Sequence, residues 1–128
     1  MMKILVLVSA FTFSALAFGG SDCSDVSKFG EVTKSELKSL VEKKAVTVID
    51  VNSEQSYAKD HVPTAIHYFA VKNDFVKALP SDKNALIVAY CGGVTCSAWH
   101  KAAKAACKAG YNNVKHYKGG IKGWMDKG

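Results

Sequence analysis

Two apolar runs, "AVTVID" at residues 45–50 and "ALIVAY" at 85–90, constrain this chain more than any other feature. Neither carries a charged residue before Asp50. A strand with one wet face alternates polar and apolar residues, whereas a strand that reads apolar throughout is buried on both faces. Such runs belong in a parallel sheet covered by helices. The segments around them supply the helices. Thr33-Lys34-Ser35-Glu36 has capping-box spacing, and Leu37, Leu40 and Val41 follow at helical intervals, which predicts a helix to about Lys44. "SEQSYAKD" reads as a short helix opened by Ser53, "HVPTAIHYF" as a turn at Pro63 followed by a short strand, and "NDFVKAL" as a short helix stopped by Pro80. "SAWHKAAKAACKAG" predicts a helix from near Ser97, closed by Gly110. "NNVKHY" is a third strand and "IKGWMDKG" a terminal helix or turn. Alternating strands and helices imply right-handed crossovers and an α/β fold with a mainly parallel sheet flanked by helices on both faces. Ligands of such sheets sit beyond the carboxyl ends of the strands. Asp50 and Cys91 stand at two of those ends.

The 128 residues suffice for one domain. Lys3 followed by "ILVLVSAFTFSALAF" has the form of an export signal, with Ala15-Leu16-Ala17 as a small-residue cleavage site. The expected organisation is a leader over 1–17, a lead-in over 18–32 and a domain over 33–128. The expected location is periplasmic or otherwise exported, of bacterial type, with no stable membrane insertion once the leader is removed. Disulfides persist in such compartments, so Cys23, Cys91, Cys96 and Cys107 fit either two bridges or a reactive thiol with companions. The net charge of +6 rests on 17 lysines and no arginine. The lysines are scattered, without a basic cluster interleaved with aromatics, which argues against nucleic-acid binding.

The loop "CGGVTCS" at 91–97 joins the central strand to the alanine-rich helix. Gly92 and Gly93 let successive N–H groups turn inward, and the following helix adds unpaired N–H donors. Such a cradle of Gly92, Gly93, Val94, Thr95, Cys96 and Ser97 stabilises a thiolate or persulfide and makes Cys91 a nucleophile. A buried inert thiol, or half of a disulfide, remains an equal alternative at this point.

The chain resembles a single-domain rhodanese, a sulfurtransferase, over about residues 33–126. "IDVNSEQSYAKDHVPTAIH" is similar to the family's first signature, "VAYCGGVTCSA" to its catalytic-cysteine loop, and "YNNVKHYKGGIKGW" to its closing strand and Gly-Gly-x-x-x-Trp turn. The resemblance implies the rhodanese-like three-layer fold. It implies that Cys91 takes sulfane sulfur as a covalent persulfide, without a further cofactor. The sulfur comes from a small donor (thiosulfate, polysulfide or a persulfide) and passes to a thiol, cyanide or protein acceptor. It gives Asp50 a chiefly architectural place, His61 a hydrogen bond to the turn, and Trp124 a packing role.

This sequence departs from the family pattern at three positions. Cys96 stands where the loop commonly closes with arginine, Asn52 where the first signature usually has arginine, and Thr64 where it usually has glycine. A loop without a fixed cation attracts thiosulfate less, unless His100 or Lys101 in the next helix supplies charge. Cys96 is close enough in sequence to attack a Cys91 persulfide or sulfenate and close a disulfide, or it is simply a small buried residue. Cys107 reads as a core thiol rather than a ligand, and Cys23 could pair with it or with another chain, the sequence giving no connectivity. A metal site of Cys91, Cys96, His100 and His116 or Cys107 lacks the two-knuckle spacing of structural zinc, so no metal is expected. A non-enzymatic sulfur carrier or partner-binding module is the other alternative. Haem attachment needs a histidine after Cys96, and a thioredoxin-type site needs two intervening residues rather than four. A cysteine phosphatase needs arginine to hold its oxyanion.

Overall fold

In a computed structural model, which describes residues 22–127, the two apolar runs lie side by side at the centre of a five-stranded sheet. The elements are β1 (Gly30–Glu31), α1 (Lys34–Glu42), β2 (Thr47–Asp50), α2 (Glu54–Lys59), β3 (Ile66–His67), α3 (Tyr68–Val71), a 3-10 segment (Lys72–Ala78), β4 (Ile87–Tyr90), α4 (Trp99–Lys108), β5 (Val114–His116) and α5 (Gly120–Met125). The strand order is β1-β5-β4-β2-β3, and every pairing is parallel. The expected leader over 1–17 and its cleavage site lie outside the described residues. Among the described residues no helix is long and apolar enough to cross a membrane.

Both faces of the sheet are covered, as the unbroken apolar runs require. Ile49, Val51, Ile87 and Ala89 point to one side and pack with Trp99, Ala102, Ala103 and Ala106 of α4 and with Phe75 of the 3-10 segment. Val48, Val88 and Tyr90 point to the other and pack with Leu37 of α1, Val62 and Tyr117, with Trp124 of α5 against them. The three alanines of α4 let that helix lie close on the sheet, and α4 is the element that follows the cysteine loop.

Local chemistry sets the helix ends. Thr33 accepts from the Glu36 N–H at 3.1 Å and so caps α1, and Ser53 accepts from the Ser56 N–H at 3.2 Å and caps α2. α4 ends in a Schellman motif: Gly110 takes φ +97°, its N–H donates to Cys107, and the Tyr111 N–H donates to Ala106. Thr64, in the position where resemblance led to glycine, adopts φ +72°. A β-branched residue in that left-handed region carries strain of order 1–3 kcal/mol.

Several expectations are revised. The described part of the lead-in, residues 22–32, reaches the domain: Gly30–Glu31 pairs with β5, Val32 is buried, and Cys23 is bonded to Cys107. Cys107 is therefore no core thiol but the anchor of the N-terminal segment on α4. The helix expected over "NDFVKAL" is a 3-10 segment, preceded by the short α3, and α4 begins at Trp99 rather than near Ser97.

The Cys23–Cys107 bridge spans 84 residues. Closing so long a loop removes entropy from the unfolded chain worth roughly 4–5 kcal/mol in the ideal case, less in practice. The Cys23→Ser/Cys107→Ser double variant is expected to lose about 2–4 kcal/mol in urea unfolding while keeping its fold by circular dichroism. An unchanged unfolding midpoint would show that the bridge adds nothing.

Candidate active site at the carboxyl end of the sheet

Cys91 follows the last residue of β4 and is only 2% exposed. It is joined to Cys96 by a disulfide. The loop between them is tight, with the Cys96 N–H donating to the Gly93 carbonyl at 3.1 Å. Among the described residues no acceptor engages the N–H groups of Gly92, Gly93, Val94, Thr95 or Ser97. Five backbone donors thus remain within a few residues of the Cys91 sulfur. Cys96 itself is only partly buried.

The loop is held from outside by the turn that opens α5. Ile121 donates its N–H to the Cys91 carbonyl at 2.9 Å, and Lys122 donates to the Gly92 carbonyl at 3.0 Å. These are unpaired N–H groups of a helix start, and the loop carbonyls satisfy them. Such an approach is possible only because residue 120 is glycine. A Cβ there would lie 2.6 Å from the Cys91 oxygen, the Gly92 carbonyl carbon and the Gly93 nitrogen, and Gly120 has φ +60°.

Asp50 sits at the end of β2 in register with Tyr90 and is fully buried. Its Oδ2 accepts from the Tyr90 hydroxyl at 2.5 Å and its Oδ1 from the Asn52 N–H at 2.8 Å. The Tyr90 hydroxyl in turn accepts from the Val62 N–H at 3.0 Å. Burial and then the Asp50 hydrogen bond raise the Tyr90 pKa, so the phenol stays protonated as the donor. The chain Val62–Tyr90–Asp50–Asn52 ties the ends of β2 and β4 to the Pro63 turn, one residue before Cys91. Asp50 touches neither sulfur through any hydrogen bond described.

The other candidates separate in space. His61 is exposed, stacks on Tyr57 and shares a 2.7 Å hydrogen bond between Nδ1 and the Tyr57 carbonyl. Lys101 is exposed, with Nζ 5.4 Å over the Phe69 ring. Desolvation, followed by Lys104, lowers the His100 pKa. His116, stacked on Trp99 with ring centroids 3.6 Å apart, is lowered to about 4 by burial first and then by His100 and Lys118. Both histidines are therefore neutral at pH 7 and bring no positive charge to the loop. Trp124 packs edge-on to Tyr117, with Lys38 over its ring. The thiolates of the metal reading are not assembled, since Cys91 is bonded to Cys96 and Cys107 to Cys23.

Sequence reasoning missed Tyr90, Gly120 and Lys122 as parts of this site. Tyr90 carried a signal, a lone hydroxyl at the end of an apolar strand. The other two lie about thirty residues from Cys91 in a turn whose approach only the fold reveals. Asn52 was noted as a departure; its carboxamide lies beside the loop, with Oδ1 3.8 Å from where a Gly92 Cβ would be, and its buried Nδ2 has no hydrogen-bond partner. The contact at residue 120 gives a direct test. Gly120→Ala is expected to destabilise the fold by about 1–3 kcal/mol and to slow any reaction of Cys91 by at least about tenfold, because the loop must shift. Wild-type stability and Cys91 reactivity in that variant would show the contact to be soft.

The family model for the rhodanese-like domain matches residues 33–127. Among solved structures, a rhodanese-like domain protein from Staphylococcus aureus is 24% identical, covers 78% of this chain and 95% of its own, and superposes with a TM-score of 0.61. A rhodanese-related protein from Thermoplasma volcanium is 19% identical over 78% of this chain and 94% of its own, with a TM-score of 0.59. A human single-domain sulfurtransferase is 20% identical over 77% of this chain and 96% of its own, with a TM-score of 0.58. No curated protein sequence gives a significant match. At these identities the structural likenesses establish the fold, and the family match, over most of the chain, establishes the membership: this chain belongs to the rhodanese-like domain family.

Proposed function

We propose that this chain is a sulfurtransferase that carries sulfane sulfur on Cys91 as a persulfide and uses Cys96 as a built-in redox partner. The observation that carries this reading is the position of Cys91 just past the end of β4, opening a loop of unengaged N–H groups and bonded to Cys96. Membership of a family with a human single-domain sulfurtransferase among the structural neighbours supports it.

The reaction begins with opening of the disulfide. Cys91 is buried and Cys96 half-buried, so an external thiolate reaches the Cys96 sulfur. Attack there forms a mixed disulfide on Cys96 and releases Cys91 as a thiolate beneath the N–H groups, the arrangement that makes it a good leaving group. A second thiol then frees Cys96. The Cys91 thiolate attacks the sulfane sulfur of its donor; with thiosulfate the S–S bond breaks, sulfite leaves, and Cys91 holds a persulfide anion. An acceptor thiolate or cyanide attacks the outer sulfur, takes it, and restores the Cys91 thiolate. Where no acceptor arrives, the Cys96 thiol attacks the Cys91 persulfide at its inner sulfur, closes the disulfide and expels the outer sulfur as hydrogen sulfide. That exit returns the chain to the form described above. Two disulfides suit an exported location of the bacterial-periplasm type, where an oxidised resting form is stable until a dithiol reductant arrives.

The test is intact mass after reduction and exposure to thiosulfate, polysulfide or glutathione persulfide. Wild type and Cys96→Ser are expected to gain one sulfur atom, and Cys91→Ser none. In wild type the adduct should decay to the Cys91–Cys96 disulfide with release of sulfide, whereas in Cys96→Ser it should persist. Multiple turnovers with an acceptor thiol distinguish an enzyme from a single-use carrier. No sulfur gain from any donor, or equal gain in Cys91→Ser, would end the sulfurtransferase reading. A wild-type persulfide that persists with Cys96 free would end the redox role.

A further inference from the structure

A chain without arginine must find another cation if its active-site loop is to receive an anionic donor. The positive groups near the loop differ in where they lie. Lys101 sits over Phe69, and His100 and His116 are neutral at pH 7. Lys122 is placed otherwise. Its N–H is bonded to the Gly92 carbonyl, and its aliphatic stem lies along Gly93, with Cβ and Cδ 3.7 and 3.9 Å from where a Gly93 Cβ would be. Nζ is two bonds beyond Cδ, so the ammonium is carried by the same backbone bond that pins the loop. A Cβ at 93 would only touch that stem at van der Waals distance, so the contact does not depend on the glycine. Among the described residues Lys122 forms no ion pair. Lys122 also lines an open cleft of about 460 Å³ with Lys59, Asp60 and Asp126 as well as Ser56, Ile121 and Met125, so its charge is neither isolated nor cancelled by a direct partner.

We infer that Lys122 is the anion-recruiting residue of the Cys91 loop, meeting the negative sulfur donor at the loop mouth and favouring anionic over neutral donors. The identity of the donor rests on the sulfurtransferase reading; the binding of an anion beside the loop does not. A lysine offers a compact point charge on a flexible stem rather than the bidentate fork of arginine. The anion is accordingly held by charge more than by orientation, and its affinity falls as salt rises.

Two measurements test this on the full chain. The first uses the oxidised protein, in which Cys91 cannot accept sulfur, titrated with thiosulfate while backbone amide shifts of residues 92–97 are followed by NMR. Wild type is expected to show saturable, salt-weakened shifts. Lys122→Gln is expected to bind about tenfold more weakly, and Lys122→Arg to restore binding. Lys108→Gln, the same charge change at the far end of α4, should match wild type. Equal affinity in Lys122→Gln, or loop amides that never respond, overturns the inference. The second measures sulfur loading of reduced protein. Lys122→Gln should require about tenfold more thiosulfate for the same rate, yet react normally with an uncharged dialkyl trisulfide, whose central sulfur Cys91 attacks to form a mixed trisulfide with release of one alkanethiolate. Equal loss with both donors would make Lys122 a structural residue and overturn the inference. If wild type accepts sulfur from no donor while thiosulfate still binds in a Lys122-dependent way, the sulfurtransferase reading fails and the anion site stands.

Discussion

Two hydrogen bonds, from the Ile121 and Lys122 N–H groups to the carbonyls of Cys91 and Gly92, hold the reactive loop in place over Gly120. They fix more than a distance. Because the loop carbonyls face the α5 turn, the N–H groups of the same trans peptides point away from that turn and stay unengaged. A loop that lost this clamp could rotate its peptides, and on the proposed function the sulfur anion on Cys91 would then meet oxygen instead of N–H. The glycine at 120 is therefore a requirement of the active-site geometry, although it lies on another element.

The second constraint lies beneath the loop. Asp50 buries a carboxyl group where apolar side chains surround it, a placement that is tolerable only with hydrogen bonds to both oxygens. Tyr90 and Asn52 supply them, and Tyr90 passes the constraint to Val62. The polar chain thus sets the ends of β2 and β4 at one level, with Cys91 as the next residue. Cys96, half-buried above it, is chemically the more accessible half of the bridge. That asymmetry would give the proposed redox step its direction, with the external thiol meeting Cys96 and the buried Cys91 leaving.

How much of this was legible in the sequence depends on the range of the interaction. Strands buried on both faces wrote themselves as unbroken apolar runs, and the caps Thr33 and Ser53 act within three residues of themselves, so each was readable. The place of Cys91 at a strand end followed from those runs. β1 was not readable, because two exposed edge residues, Gly30 and Glu31, carry no periodicity. The partner of Cys107 lay 84 residues away, and nothing local distinguishes a bridging thiol from a packed one. Lys122 escaped for the same reason: its meaning comes from the approach of the α5 turn to Gly93, a contact between segments that only the assembled sheet brings together. His100 and Lys101, nearer in sequence to Cys91, looked like better cations than the fold makes them.

The central claim is that backbone N–H groups of the 92–97 loop hold a sulfur anion on Cys91. The measurement that bears on it most directly is a crystal structure of reduced Cys96→Ser after treatment with polysulfide. The account predicts one added sulfur on Cys91, with its outer atom within hydrogen-bonding reach of at least two of those N–H groups. An unmodified Cys91, or an outer sulfur turned away from the loop, would contradict it.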